Sequence, residues 1–242
     1  MDETGGPDPR PRLCRRHSRH LWKFARGAGF RPLATFGALA FAVFGFPSQA
    51  APQPPRFEVR AGVTASTALA EDAVANSELQ QLLGTGFQGG VTATPSVGPT
   101  IAASVILPLR TRTLLDVSLA WTFSRLDAED ANGHRELHEL SIAQIGIAVR
   151  YQLRPDIDAG CGFGAARYSG NDTGLFATGS EFAPLLECGS GVSVRAGAQT
   201  FVLRAFGQAQ RFRTPALRDA GAQTGSVFRF GAQAGIAFGG SR

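Results

Sequence analysis

Residues 114–126 read Leu-Leu-Asp-Val-Ser-Leu-Ala-Trp-Thr-Phe-Ser-Arg-Leu. Leu115, Val117, Leu119, Trp121 and Phe123 share one parity, while Asp116, Ser118, Ala120, Thr122 and Ser124 share the other. An apolar residue at every second position gives a strand with two unlike faces, because successive side chains of a strand point to opposite sides. The same rhythm recurs on both sides of this segment. Upstream it marks residues 57–67, with Phe57, Val59, Ala61, Val63 and Ala65 in phase, and residues 99–109, with Ile101, Ala103, Val105 and Leu107 in phase. Downstream it marks 138–153, 157–168, 186–198, 201–212 and 227–238.

Eight strands result, and their links alternate in length. Residues 110–113, 154–156 and 199–200 are short; 68–98, 127–135, 170–184 and 214–226 are longer, and 71–83 in the first of these has the composition of a short helix. Short turns at one end and long polar links at the other fit an all-β, eight-stranded up-and-down antiparallel transmembrane β-barrel spanning residues 56–240. In the fourth strand Ile145, Ile147, Val149, Tyr151 and Leu153 are in phase, but Leu140 and Ile142 fall on the other parity. A bulge near Ala143 would reconcile them, since one extra residue swaps the faces.

Composition agrees with a membrane-embedded or packed body. Apolar residues make up 43% of 242, and 30 Gly with 14 Pro stay below the share that marks disorder. No run of about 20 apolar residues exists, so a helical membrane protein is excluded. The net charge of +5 belongs to residues 1–50, which hold eight of the 24 basic residues and three of the 19 acidic ones. Beyond them the chain is neutral and contains no Lys, so it lacks the basic footprint that nucleic-acid binding requires.

The first 50 residues have the plan of a secretory signal peptide that is removed. A basic stretch ends at Arg31, an uncharged 14-residue run follows over 33–46, and Pro47-Ser48-Gln49-Ala50 carries small residues where a signal peptidase cuts. Cleavage is expected after Ala50 or Ala51. Arg15-Arg16 is followed by polar His17-Ser18-Arg19, which favours the general secretion route over a twin-arginine one. Residues 51–55 form a Pro-rich lead-in. Loss of the leader removes Cys14 and leaves Cys161 and Cys188 in an oxidising compartment.

The phrase FEVRAGVTAS at 57–66 opens the barrel, and GAQAGIAFG at 231–239 closes it. With the strand rhythm, these resemble the small eight-stranded bacterial outer-membrane barrels of the OmpA, OmpX and opacity-protein kind, and the porin-like group of outer-membrane β-barrel domains. The resemblance covers about residues 56–240. It implies a place in the outer membrane of a Gram-negative bacterium, reached by secretion through the inner membrane. It also implies contact with outer-membrane lipid and insertion by the barrel-assembly machinery. Such barrels usually end on an aromatic residue, whereas here Phe238 is followed by Gly239-Gly240-Ser241-Arg242.

The apolar parity is expected to meet lipid. A lipocalin would carry many Lys and Glu on its outward face, but here the polar parity is mostly Gly, Ser, Thr and Gln, the filling of a narrow lumen. Its charges are Glu58, Asp116, Asp158 and Glu187 against Arg60, Arg150, Arg195, Arg204 and Arg229, and Glu139 would join them if the fourth strand is bulged. Facing lipid at mid-depth, a charge costs roughly 2–4 kcal/mol; facing inward, these groups pair with one another. Gly160, Gly162, Gly164, Gly189 and Gly191 lie on the same face and would make room for long Arg side chains. The network is read either as a structural plug or as a gated ion path. Phe57, Tyr151, Phe201 and Phe238 form one aromatic girdle at the short-turn end; Trp121, Phe123 and Phe228 form another toward the loops.

Cys161 and Cys188 share the lipid-facing parity on neighbouring strands. Direct opposition would permit a cross-strand disulfide; otherwise both are free thiols. No catalytic, metal or cofactor site is assigned. In His134-Arg-Glu-Leu-His138 the Glu is out of place for a zinc protease, and on a strand the two His stand about 13 Å apart. Gly160-Cys-Gly162-Phe-Gly164 lies within a strand, not before a helix that would hold phosphate. His138, Glu139 and Ser141 are the one set that a lipid-modifying barrel enzyme would use. The expected role is therefore non-enzymatic, structural or surface-interacting, through long extracellular loops with an unknown loop ligand. A narrow ion or solute pore is the alternative, followed by a lipid-modifying enzyme.

Overall fold

The computed structural model describes residues 54–72, 77–84, 86–170, 174–176, 182–220 and 225–239. The leader, its cleavage point and Cys14 lie outside these residues. Eight strands close a ring: β1 (Arg56–Ser66), β4 (Gly98–Arg110), β5 (Thr113–Asp130), β6 (Gly133–Arg154), β7 (Ile157–Gly170), β8 (Ala183–Ala196), β9 (Gln199–Arg211) and β10 (Ser226–Gly239). Every neighbouring pair is antiparallel, and β1 closes on β10 with Phe57 opposite Phe238. Closure leaves no barrel strand with an open edge, the condition for a sheet to cross lipid.

Parity sets the two faces. Val59, Leu119, Trp121, Ile145, Phe163, Leu203 and Phe230 are exposed on the outer wall, Leu119 by 59%. Glu58, Arg60, Asp116, Arg150, Asp158, Arg204 and Arg229, on the opposite parity, are buried. An outer wall of apolar side chains around a charged interior is the arrangement of a barrel whose solvent is lipid.

The first long link includes regular structure among its described residues. It contains β2 (Ala70–Asp72), α1 (Ser77–Leu83) and β3 (Val91–Pro95), so the helix is shorter than the 71–83 expected and Glu71 belongs to a strand. β3 and β4 both pair with β5, Pro95 opposite Leu126 and Thr100 opposite Thr122. Ser96 joins them, donating its amide to the Arg125 carbonyl at 2.8 Å and accepting the Arg125 amide on its hydroxyl at 3.0 Å.

Residues 127–135 are not a loop. β5 and β6 continue to Asp130 and Gly133 and are joined by Ala131-Asn132, with Gly133 at φ 122°. The physical reason is turn chemistry, which outweighs the polarity of the segment: the Asp130 carboxylate accepts the Asn132 amide at 2.9 Å, and Gly adopts the left-handed backbone freely. Asp130 also accepts the Gln88 amide at 2.9 Å, tying the turn to the segment after α1. These amides hold its carboxyl below the usual range. The last short turn is Gly197-Ala198, two residues before the expected 199–200, because Gly197 takes φ 62°.

The bulge lies at Leu137, not near Ala143. The β5–β6 register runs unbroken from Thr113 opposite Tyr151 to Leu126 opposite His138, and shifts only at Asp127 opposite Glu136. Leu140 and Ile142 therefore keep the lumen parity, each 1% exposed. They belong to an apolar core that fills the loop end of the barrel, with Leu69, Phe87, Val91, Leu126, Tyr168, Phe176, Phe212 and Leu217. Tyr168 and Phe212 meet edge-on at 4.8 Å. α2 (Pro215–Asp219) adds Leu217, and its N-terminus is capped by the Thr214 hydroxyl, which accepts the Leu217 amide at 3.1 Å. The lumen is thus polar only in its turn-end portion, and apolar residues on lumen parity need no bulge to explain them.

An outer wall in contact with acyl chains should reject charge. Leu119→Arg is expected to cost about 2–4 kcal/mol of folding free energy in lipid vesicles. Denaturant titration of folding into vesicles reads this directly; a change near zero would place Leu119 away from lipid.

Candidate functional site

The buried charges form one connected layer. Glu58, on β1, accepts Arg204 Nε on Oε2 at 2.7 Å and Arg204 Nη2 on Oε1 at 2.8 Å, a bidentate pairing. Its Oε1 also lies 2.7 Å from Arg56 Nη2, and its Oε2 lies 3.3 Å from Arg60 Nη1. Arg204 spans the lumen to Asp158 Oδ1 at 2.9 Å, and that oxygen also accepts Arg150 Nη1 at 3.2 Å. Arg150 Nε then reaches Asp116 Oδ2 at 2.6 Å. The chain of ion pairs runs through β1, β9, β7, β6 and β5. Gly191 gives it space: a Cβ there would sit 2.6 Å from Arg204 Nη1 and 3.2 Å from Asp158 Oδ1.

A second layer, nearer the loops, is built mainly from neutral groups. Gln208 accepts Gln144 Nε2 at 2.8 Å and Arg229 Nη1 at 3.2 Å, and donates to Glu187 at 2.7 Å. Arg229 Nη2 donates to the Thr122 hydroxyl at 2.9 Å, and Thr122, Thr100 and Thr64 continue as a hydroxyl ladder at 2.9 and 2.7 Å. Arg229, 1% exposed, has no described carboxylate within ion-pair distance; Gln208 links it to Glu187. Between the layers lies a cavity of about 30 Å³ bordered by Arg60, Gln144, Arg150, Glu187, Arg204 and Phe206, about the share of one water in the liquid. Above it the apolar core closes the loop end.

Of the nine lumen charges expected from sequence, eight are brought together in these two layers. Arg195 is not among them. It has lumen parity but is exposed near the turn after β8, bordering the open turn-end mouth with Arg56 and Asp156. Strand parity alone does not reveal how far a residue sits from a mouth. Arg56 joins the network, and it was missed because it lies one residue before the alternating run. Gln144, Gln208 and the three threonines carry no sequence signal beyond their parity. Glu139 is exposed on the outer wall and does not join, since the bulge lies at Leu137.

Cys161 and Cys188 face one another in register and are disulfide-bonded, on the outer wall. Glu139 and Ser141 both border a groove on the outer wall, but His138 does not join them. His138 points into the apolar core, edge-on to Phe176 at 5.7 Å, while Glu139 faces outward. Burial pushes the His138 imidazole below its ordinary value. Outside the barrel, a groove of about 650 Å³ runs along the loop-end wall past Val97, Phe123, Arg125, Glu136 and Ser169, with the Arg125–Glu136 ion pair at 3.0 Å on its border.

Neither a protein-family model nor a curated protein matches the sequence. Among solved structures, the outer membrane protein OprG from Pseudomonas aeruginosa superposes with a TM-score of 0.50 at 11% identity, covering 77% of this chain and 96% of that one. The outer membrane protein AlkL in lipid bilayers gives 0.42 at 11% identity, covering 80% and 94%. Ail, the attachment invasion locus protein of Yersinia pestis, gives 0.36 at 13% identity, covering 76% and 98%. The fold is that of the small outer-membrane β-barrels, and the likeness to OprG shows that fold alone.

Two outcomes follow from this geometry. Glu58→Gln leaves Arg56, Arg60 and part of Arg204 without their carboxylate and should cost about 3–5 kcal/mol, read from urea unfolding in detergent micelles; an unchanged midpoint would mean that Glu58 is not the hub. At His138 the unfolded chain takes up a proton before the folded one, so the stability is complete above pH 6.5 and falls as the pH drops below it. Protection factors of the amides across 212–217, which remove the intrinsic pH dependence of exchange, should therefore fall between pH 7 and 5, and His138→Phe should flatten that dependence.

Proposed function

We propose that this chain is a non-conducting barrel of the Gram-negative outer membrane, with a structural or surface-interaction role carried by its loop end. In this reading residues 1–50 are a secretory leader, and the barrel-assembly machinery inserts residues 56–240. The observation that supports it best is the filled lumen. Ion pairs cross the turn-end portion, a layer of glutamines, threonines and Arg229 lies above, and an apolar core lies above that. Between the two polar layers the void holds about 30 Å³, too small for a file of water molecules. Opening it would break several buried ion pairs at once, each costing on the order of 3–5 kcal/mol when one partner is lost.

The loop end is the part built to present a surface. β2, β3, α1, α2 and the extensions of β5 and β6 stand there, anchored by the apolar core beneath them. The ligand of that surface is a loop partner whose chemistry is unassigned. A catalytic reading gains no support from His138, Glu139 and Ser141, since His138 is turned into the core.

Two measurements test the proposal. The protein should fractionate with the outer membrane and migrate differently on gels before and after boiling, as folded barrels do. Recovery in the periplasmic extract without that shift would reject it. In planar bilayers the purified barrel should give no discrete conductance steps, whereas regular steps would make the pore the correct reading.

A further inference from the structure

Three strands that rise toward the loops share a pattern. On the outward parity of β5, β7 and β9, five apolar or small residues (alternate positions 115–123, 157–165 and 201–209) are followed by an arginine: Arg125, Arg167 and Arg211. Five alternate residues extend about 27 Å along a strand, or roughly 20 Å of membrane thickness at a tilt near 40°. The next outward position therefore leaves the acyl region and enters the headgroups. An arginine there is not a scattered surface charge; it sits at the depth of lipid phosphates.

The three are not equivalent. Arg125 is held by Glu136, its Nη1 lying 3.1 and 3.0 Å from the two carboxylate oxygens. Arg167 instead lies over the ring of Phe182, 5.9 Å from its centroid, and Phe182 is itself 66% exposed. Arg211 is exposed, and Arg213 continues its face because Phe212 and Thr214 between and beside them are buried. The registers Ala165 opposite Pro184 and Leu185 opposite Gln210 set Arg167 and Arg211 on either side of β8. Arg167, Arg211 and Arg213, unlike Arg125, have no described carboxylate within ion-pair distance. The β7–β9 sector thus carries two exposed guanidinium groups at headgroup depth, Arg167 and Arg211, with exposed Arg213 just past the end of β9 and an exposed aromatic ring beside them.

We propose that Arg167, Arg211 and Arg213 bind the phosphates of lipopolysaccharide, the phosphorylated glycolipid of the outer leaflet. Guanidinium forks pair with phosphate oxygens bidentately, and three of them match a headgroup carrying more than one phosphate. The choice of the outer-leaflet lipid rests on the outer-membrane reading above, which turns the loop end outward.

The test uses the full chain expressed in a Gram-negative host, with the barrel extracted from its outer membrane in mild detergent and EDTA. Native mass spectrometry then titrates three probes: bisphosphorylated lipid A, lipid A stripped of phosphate, and phosphatidylglycerol. Bisphosphorylated lipid A should bind about ten-fold more tightly than either of the others, the size of one or two charge-assisted contacts. Arg167→Gln/Arg211→Gln/Arg213→Gln should remove that preference, while Arg125→Gln should keep it. Should the triple variant fail the heat-mobility check of folding, Arg211→Gln alone is read, with a loss of about three-fold expected. Equal affinity of wild type and variants, or equally tight phosphatidylglycerol, would overturn the inference with the barrel still correctly inserted. Absence of the barrel from the outer membrane would overturn the membrane reading and this inference together.

Discussion

Glu58 carries the arrangement on which the rest depends. Its two oxygens meet Arg204, Arg56 and Arg60, and Arg204 passes the network on to Asp158 and Arg150. Lipid forces this outcome. Every strand has one face against acyl chains, so a charged residue at acyl depth must take the other face, and the narrow ring then brings those charges within reach of one another. A buried charge without a partner is expensive, while a hydrogen-bonded set of opposite charges is tolerable. The arginines are suited to it because a planar fork reaches two acceptors across the lumen.

The loop end solves the same filling problem differently. Leu140, Ile142, Leu126 and Tyr168 project into the lumen and pack with Phe176, Phe212 and Leu217 from the connections, so the core there resembles that of a small water-soluble domain. The disulfide between Cys161 and Cys188 joins β7 to β8 across the connection whose Leu175 and Phe176 enter that core. Linking two residues 27 apart removes freedom from the unfolded hairpin. A barrel closed by ion pairs at one end and by an apolar core at the other is a rigid support for whatever its loops present.

The strands and their two faces were legible because the period of two is a direct imprint of backbone geometry. Residues 114–126 alone assign inward and outward sides, and all eight strands follow. What was not legible depended on position along the barrel axis. Leu140 and Ile142 looked out of phase because a lumen was assumed to be polar throughout; the apolar loop-end core makes them regular. Residues 127–135 looked like a loop because they are polar, yet Asp130, Asn132 and Gly133 specify a tight turn and the flanking strands run on to meet it. Arg195 has the right parity and the wrong depth. Arg56 has the right depth and lies outside the alternating run. The partners of Arg229 are the neutral side chains of Gln208 on β9 and Thr122 on β5, and no local pattern links them.

The outward direction of the alternating face is the central claim, and Trp121 reports on it. Without residues 1–50 it is the chain's one tryptophan, and it is exposed on the outer wall. Its fluorescence should be measured with the barrel in vesicles whose lipids carry brominated acyl chains. Strong quenching by the bromines, with little quenching by aqueous acrylamide, is the expected result. Efficient quenching by acrylamide and none by brominated chains would contradict it.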